Sequence, residues 1–185
     1  EAGMCDSGAD NIALGRSALG GDVVTGKCNI AIGPSAGRSL TSGCYNIFFG
    51  EGAGRSSSTA IDNVYIGRDA GYCNTTGSRN IGIGLGALEK ANPTSSGEAE
   101  NNVAIGWRAG SCISTGKHNI LLGSCKTGFC ITSGYSNIAI GCYAGHGNPG
   151  IGDHNVFIGG FAGQEFTNGQ GNAVVGDLAG CKLAH

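Results

Sequence analysis

The chain of 185 residues holds nine cysteines, four histidines and a single tryptophan, and these side chains have the widest chemical reach. A zinc centre needs Cys or His ligands in closely spaced pairs. No Cys-x-x-Cys occurs, and His118, His146, His154 and His185 are scattered, so neither a metal centre nor a Cys–His nucleophile is expected. Aspartates number seven and share no common spacing, which argues against calcium-binding nonapeptide repeats. Acidic residues are few and dispersed, without the clustered carboxylates of an enzymatic groove. The expected function is therefore not enzymatic, with no cofactor. The cysteines fit disulfide chemistry in an oxidising, extracellular setting, and their odd number leaves at least one thiol for another chain or for none. Trp107 follows a glycine directly and reads either as a binding platform or as a rim aromatic filling a gap. Asn74-Thr75-Thr76 is a formal glycosylation sequon.

What positions these residues is a repeat. The string "NIAIGPSAG" at residues 29–37 returns along the chain in variant form. Its tag, Asn-(Ile/Val/Ala)-x-(Ile/Leu/Val/Phe)-Gly, begins at Asn11, Asn29, Asn46, Asn63, Asn80, Asn102, Asn119, Asn137, Asn155 and Asn172. Successive spacings are 18, 17, 17, 17, 22, 17, 18, 18 and 17 residues. A unit this short cannot hold paired helices and suits one coil of a solenoid. The expected fold is all-β: a parallel β-solenoid, or β-roll, of about ten coils forming one repeat domain over residues 1–185. The longest spacing places a polar surface loop at 89–101.

Within the unit, positions 2 and 4 are apolar in every copy, which is strand alternation and predicts that both face inward. Position 8, nearly always alanine, is expected to line a tight inner bend. Position 5 is glycine throughout: Gly15, Gly33, Gly50, Gly67, Gly84, Gly106, Gly123, Gly141, Gly159 and Gly176. Glycine there permits a positive φ and a sharp corner. A recurrent Thr-x-Gly supplies a second turn. Stacked asparagines at position 1 can donate to and accept from one another, which predicts a ladder along the solenoid.

The tags "NIAIGPSAG", "NVAIGWRAG" and "NIAIGCYAG" resemble the repeats of YadA-like trimeric autotransporter adhesin heads and of phage and bacterial fibre proteins. The resemblance implies a left-handed parallel β-roll, a homotrimer, display on a cell or virion surface, and no catalytic residues. The coil here is longer than in the adhesin heads.

Contacts between molecules follow from the same pattern. Position 3, expected to point outward, carries no charge in any copy, so Phe48, Tyr65, Leu121, Phe157 and Val174 are expected to form a lateral interface in a homo-oligomer. Candidate disulfides join Cys112 to Cys130, Cys125 to Cys142, and Cys28 to Cys44; the last two pairs are one position out of register. The chain starts and stops within a unit, and Cys5 and Cys181 lie near its two ends in nearly the same frame. That arrangement predicts a head-to-tail filament bonded through these two residues.

The expected partner is thus the chain itself, as trimer or filament, with a cell-surface glycan or receptor as a further partner. A net charge of −2 argues against nucleic acid. No apolar run is long enough to insert in a membrane. The functional expectation is an extracellular structural or adhesive module, with a purely structural filament subunit as one alternative. An ice-binding solenoid is another, resting on the incomplete rank Thr41, Thr75, Thr115, Thr132 and Thr167.

Overall fold

The computed structural model describes residues 8–21, 23–91, 97–129, 131–147, 151–166 and 169–181. Ten strands form one parallel sheet in strict chain order, one strand per coil. They are β1 (Ile12–Leu14), β2 (Ile30–Ile32), β3 (Ile47–Phe49), β4 (Val64–Ile66), β5 (Ile81–Ile83), β6 (Val103–Trp107), β7 (Ile120–Cys125), β8 (Ile138–Ile140), β9 (Val156–Ile158) and β10 (Ala173–Val175). Each tag residue pairs with its counterpart in the next coil, Ile30 with Ile47 and Ala31 with Phe48 for example. The chain is a β-solenoid, as the repeat predicted.

The orientation of the strands reverses the expectation. Position 3 faces the interior: Ala31, Phe48, Tyr65, Ala104, Leu121, Ala139 and Phe157 are fully buried. Positions 2 and 4 face out, with Leu14 and Val175 about two-thirds exposed at 64% and 66%. The reason is the period of two. Asparagine at position 1 shares a face with position 3, and the asparagines are drawn into the interior by their ladder. Apolarity could not reveal this, because both faces of the sheet are apolar.

In four coils position 3 and the side chain at position 12, across the coil, exchange size, whereas in coil 9 Phe157 and Phe166 are both large rings, edge to face at 5.4 Å. Ala31 is matched by Leu40 and Ala104 by Ile113, whereas the rings of Phe48 and Tyr65 are matched by Ser57 and Asn74. Phe48 and Tyr65 stack with centroids 5.9 Å apart. A Cβ on Gly54 or Gly71 would come within 2.3 Å of those rings, so the glycine of the Ala-Gly pair is there for space. Position 8 behaves as predicted: Ala18, Ala36, Ala53, Ala70, Ala87, Ala109, Ala144 and Ala162 are buried.

Corner glycines have φ of 123° to 133° in nine of the ten tags. At Gly123 the strand runs on instead. Coil 7 carries an extra residue after its tag, and β7 continues two residues past Gly123 to Cys125, pairing it past a register shift with Trp107, one residue beyond Gly106 in β6. The Thr-x-Gly glycines have a different role: a Cβ on Gly43 would lie 2.3 Å from the Ala60 carbonyl oxygen, so they allow adjacent coils to approach.

Candidate functional site

The asparagine ladder is continuous from Asn11 to Asn172. In each step one carboxamide oxygen accepts two bonds from the next coil, from its asparagine backbone N–H and its Nδ2. For Asn46 onto Asn29 Oδ1 both distances are 3.0 Å. For Asn155 onto Asn137 Oδ1 they are 2.9 and 3.1 Å. The Nδ2 also donates across the coil to a backbone carbonyl, as Asn29 does to Gly43 (2.9 Å), Asn63 to Gly77 (3.0 Å) and Asn119 to Gly134 (2.9 Å). From Asn11 to Asn155 each carboxamide oxygen is thereby committed to the next coil.

Phe48, Tyr65, Leu121, Phe157 and Val174 all lie in the core, so they cannot form the expected lateral interface. Positions 2 and 4 supply the outer face of the sheet instead. Ile12, Leu14, Ile47, Phe49, Ile81, Ile105, Ile120, Ile140, Ile158 and Val175 are exposed large apolar side chains, and the in-register pairing aligns them in two parallel ranks. No copy at either position is charged.

The cysteines divide. Cys5 and Cys130 fall outside the described residues, so the pairings of Cys112 with Cys130 and of Cys5 with Cys181 do as well. The seven described cysteines carry free thiols. Cys28 and Cys44 remain offset: the Cys44 sulfur accepts from the Lys27 N–H (3.3 Å), while Cys28 precedes the tag directly. Cys125 and Cys142 come into register, because the extra residue in coil 7 cancels the offset seen in sequence; the N–H of Tyr143 bonds the Cys125 carbonyl at 2.9 Å. The Cys142 thiol donates to the Cys125 sulfur, which holds Cys125 below the usual thiol range and pushes Cys142 above it.

Beside them the corner carries aromatics. Lys126 Nζ lies 5.8 Å from the Trp107 ring and 5.2 Å from Phe129. Tyr143 stacks on Phe161 (5.3 Å) and Phe129 on His146 (5.3 Å). Burial holds the His146 imidazole below its ordinary value.

Three other motifs resolve as structure. Asn74 of the sequon is buried and donates to the Tyr65 hydroxyl (2.8 Å) and the Gly77 carbonyl (2.7 Å). Thr41 is half-buried and its hydroxyl donates to the Ser58 carbonyl of the next coil (3.1 Å), while Thr167 lies outside the described residues. Within the span 89–101, where a surface loop is expected, Ala91 and Ala99 are buried in the core, and 92–96 fall outside the described residues.

One catalytic pattern escaped the sequence reading. Gly33-Pro34-Ser35-Ala36-Gly37 matches Gly-x-Ser-x-Gly, and Ser35 has the positive φ, 57°, of a strand-to-turn nucleophile. No helix follows it, and the groove it borders is lined by Glu51, Gly52, Arg55, Asp69 and Tyr72, with no histidine to act as base. Ser17, Asp69, Arg108 and Tyr143 share its conformation at the same unit position, so the strain belongs to the coil.

No family model matches this chain, and neither the curated proteins nor the solved structures contain a match to it.

Proposed function

We propose that this chain is an extracellular structural module that assembles with copies of itself through the outer face of its sheet. The observation that carries the reading is the double rank of uncharged apolar side chains at positions 2 and 4 in all ten strands. A solvated sheet face is normally polar. Ten strands about 4.8 Å apart make this face on the order of 500 Å², at the size where exposed apolar patches mark contact surfaces. Its regular rows suit another copy of the same rows. The fibre and adhesin-head repeats that the tags resemble favour three copies about an axis. An extracellular setting is supported by the nine cysteines and by the facing thiols of Cys125 and Cys142.

Light scattering at micromolar concentration tests the assembly. The natural chain is expected as an oligomer, and a variant with Ile81→Lys and Ile120→Lys as a folded monomer. A monomeric natural chain, or an oligomer indifferent to both lysines, would overturn the reading.

A further inference from the structure

Past the corner glycine, unit position 7 forms a column along the solenoid: Ser17, Ser35, Gly52, Asp69, Gly86, Arg108, then Lys126, Tyr143, Phe161 and Leu178. All have positive φ, and eight of the ten are not glycine. The backbone there accepts a side chain in most coils, so Gly52 and Gly86 are not required by conformation. What each does is leave a notch between the side chains of the coils on either side.

The notch at Gly86 encloses about 250 Å³. A Cβ on Gly86 would enter it, 3.3 Å from Glu89 Oε2 and 3.4 Å from Arg108 Cγ. Trp107 and Leu85 supply its apolar wall. Trp107 is held by the extended pairing of β6 with β7, and Lys126 of the following coil occupies one side of its ring. The notch reaches in the opposite direction, over coils 4 and 5. Arg108 donates to Glu89 (3.2 Å), while Arg68, 61% exposed, stands 3.9 Å from Asp69, beyond hydrogen-bond length.

The notch at Gly52, about 200 Å³, repeats this composition with Tyr72, Arg55 and Glu51. Asp69 borders both. A Cβ on Gly52 would lie 2.6 Å from Asp69 Oδ1. The two floors are two coils apart, about 10 Å along the axis. Burial raises the Asp69 carboxyl above the usual range, and the Arg68 guanidinium opposes that shift.

We infer that these linked notches bind a neutral oligosaccharide lying along the solenoid axis, one sugar ring against Trp107 and the chain continuing across Asp69 to the Gly52 notch. Guanidinium donors and carboxylate acceptors alternate around an aromatic wall, which matches hydroxyls that both donate and accept. Three arginines and three carboxylates line the pair, so their formal charge cancels. An anionic ligand would require a cationic excess, and an apolar one a lining without so many charges. The inference does not rest on self-assembly, since the notches lie beyond the corner from the apolar ranks.

The chain's only tryptophan is the reporter. Emission is titrated with cellotetraose, chitotetraose and mannotetraose, and with a heparin tetrasaccharide as the anionic comparison. A saturable change is expected with at least one neutral tetrasaccharide below a concentration on the order of 10 mM. Gly86→Ser places in the notch a residue that this column already carries at Ser17 and Ser35. It should weaken binding at least tenfold with unchanged circular dichroism. Gly52→Ser should weaken the tetrasaccharide and leave the corresponding monosaccharide unaffected. Trp107→Ala, followed by calorimetry, should abolish binding. No saturable change with any neutral sugar, a response to heparin alone, or equal affinity in Gly86→Ser overturns the proposal. Repeating the titration on the Ile81→Lys, Ile120→Lys variant separates this outcome from that of the assembly test.

Discussion

At the residue scale the asparagine is the least replaceable side chain. Asn102→Ala removes the acceptor of two bonds from Asn119 and the donors to Asn80 Oδ1 and the Gly116 carbonyl. Buried partners left unsatisfied cost about 1–3 kcal/mol each, so a loss of at least about 3 kcal/mol is expected in urea unfolding. Asn102→Asp keeps the acceptor and loses the donors, placing a carboxylate against two oxygens, and should cost no less. Tyr65 makes a second residue-scale prediction. Burial raises its phenol far above the ordinary value of 10, so the folded chain holds it neutral. Its contribution is complete below pH 10 and is lost as pH rises above that value, because only the unfolded chain readily gives up the proton. Alkaline unfolding should begin near pH 10, and Tyr65→Phe should flatten it at a cost of about 1 kcal/mol at neutral pH. The thiol pair makes a third. Cys125 should alkylate faster than Cys142, and oxidised glutathione should join the two, as peptide mapping without reduction would reveal.

The strand, as an element, presents two apolar faces with unequal stakes. Phe48 is fully buried among Tyr65 and the glycines of neighbouring turns, and Phe48→Ala should destabilise by about 3–5 kcal/mol. Ile47, one residue earlier, points out and is 38% exposed. Ile47→Ala should change the unfolding of a monomeric variant by about 1 kcal/mol or less, while weakening association of the natural chain. Chemical unfolding followed beside light scattering separates the two effects. Strand length also matters locally. The extra residue in coil 7 carries β7 past its corner and places Cys125 opposite Trp107. Deleting Ser124 should return Gly123 to the corner geometry of the other tags and blunt the Trp107 emission response to sugar.

For the whole molecule, stability is a sum over stacked neighbours rather than over a closed core. Each coil meets the next through one strand pair, one asparagine step and two glycine-permitted backbone approaches, so a defect in a central coil should be felt on both sides of it. The insertion before coil 6 tests this. Asn80 still reaches Asn102 (3.0 and 3.2 Å) and the Ala99 carbonyl (2.7 Å), although 22 residues separate the two tags. Removing residues 92–96 should therefore change the unfolding midpoint little, with a loss of about 1 kcal/mol or less.

The repeat, its period and its identical tags determined the solenoid by themselves, because a unit of about 17 residues with one strand can bury its faces only by stacking. The ladder from Asn11 to Asn172, the corners at nine of ten glycines and the inward alanines were legible for the same reason: a position that repeats in sequence repeats in space. Which side of the strand faces in was not legible. Alternation specifies two faces and leaves their order open, and here Ile30 and Phe48 are both apolar. The tertiary structure decided it by placing position 3 beside the buried asparagine, so that Phe48, Tyr65, Leu121, Phe157 and Val174 became core and their neighbours became surface. Register within a corner was hidden as well. Cys125 and Cys142 looked offset until the bulge in coil 7 took up one residue, and the notches at Gly52 and Gly86 exist only where coils above and below supply walls that no single unit contains.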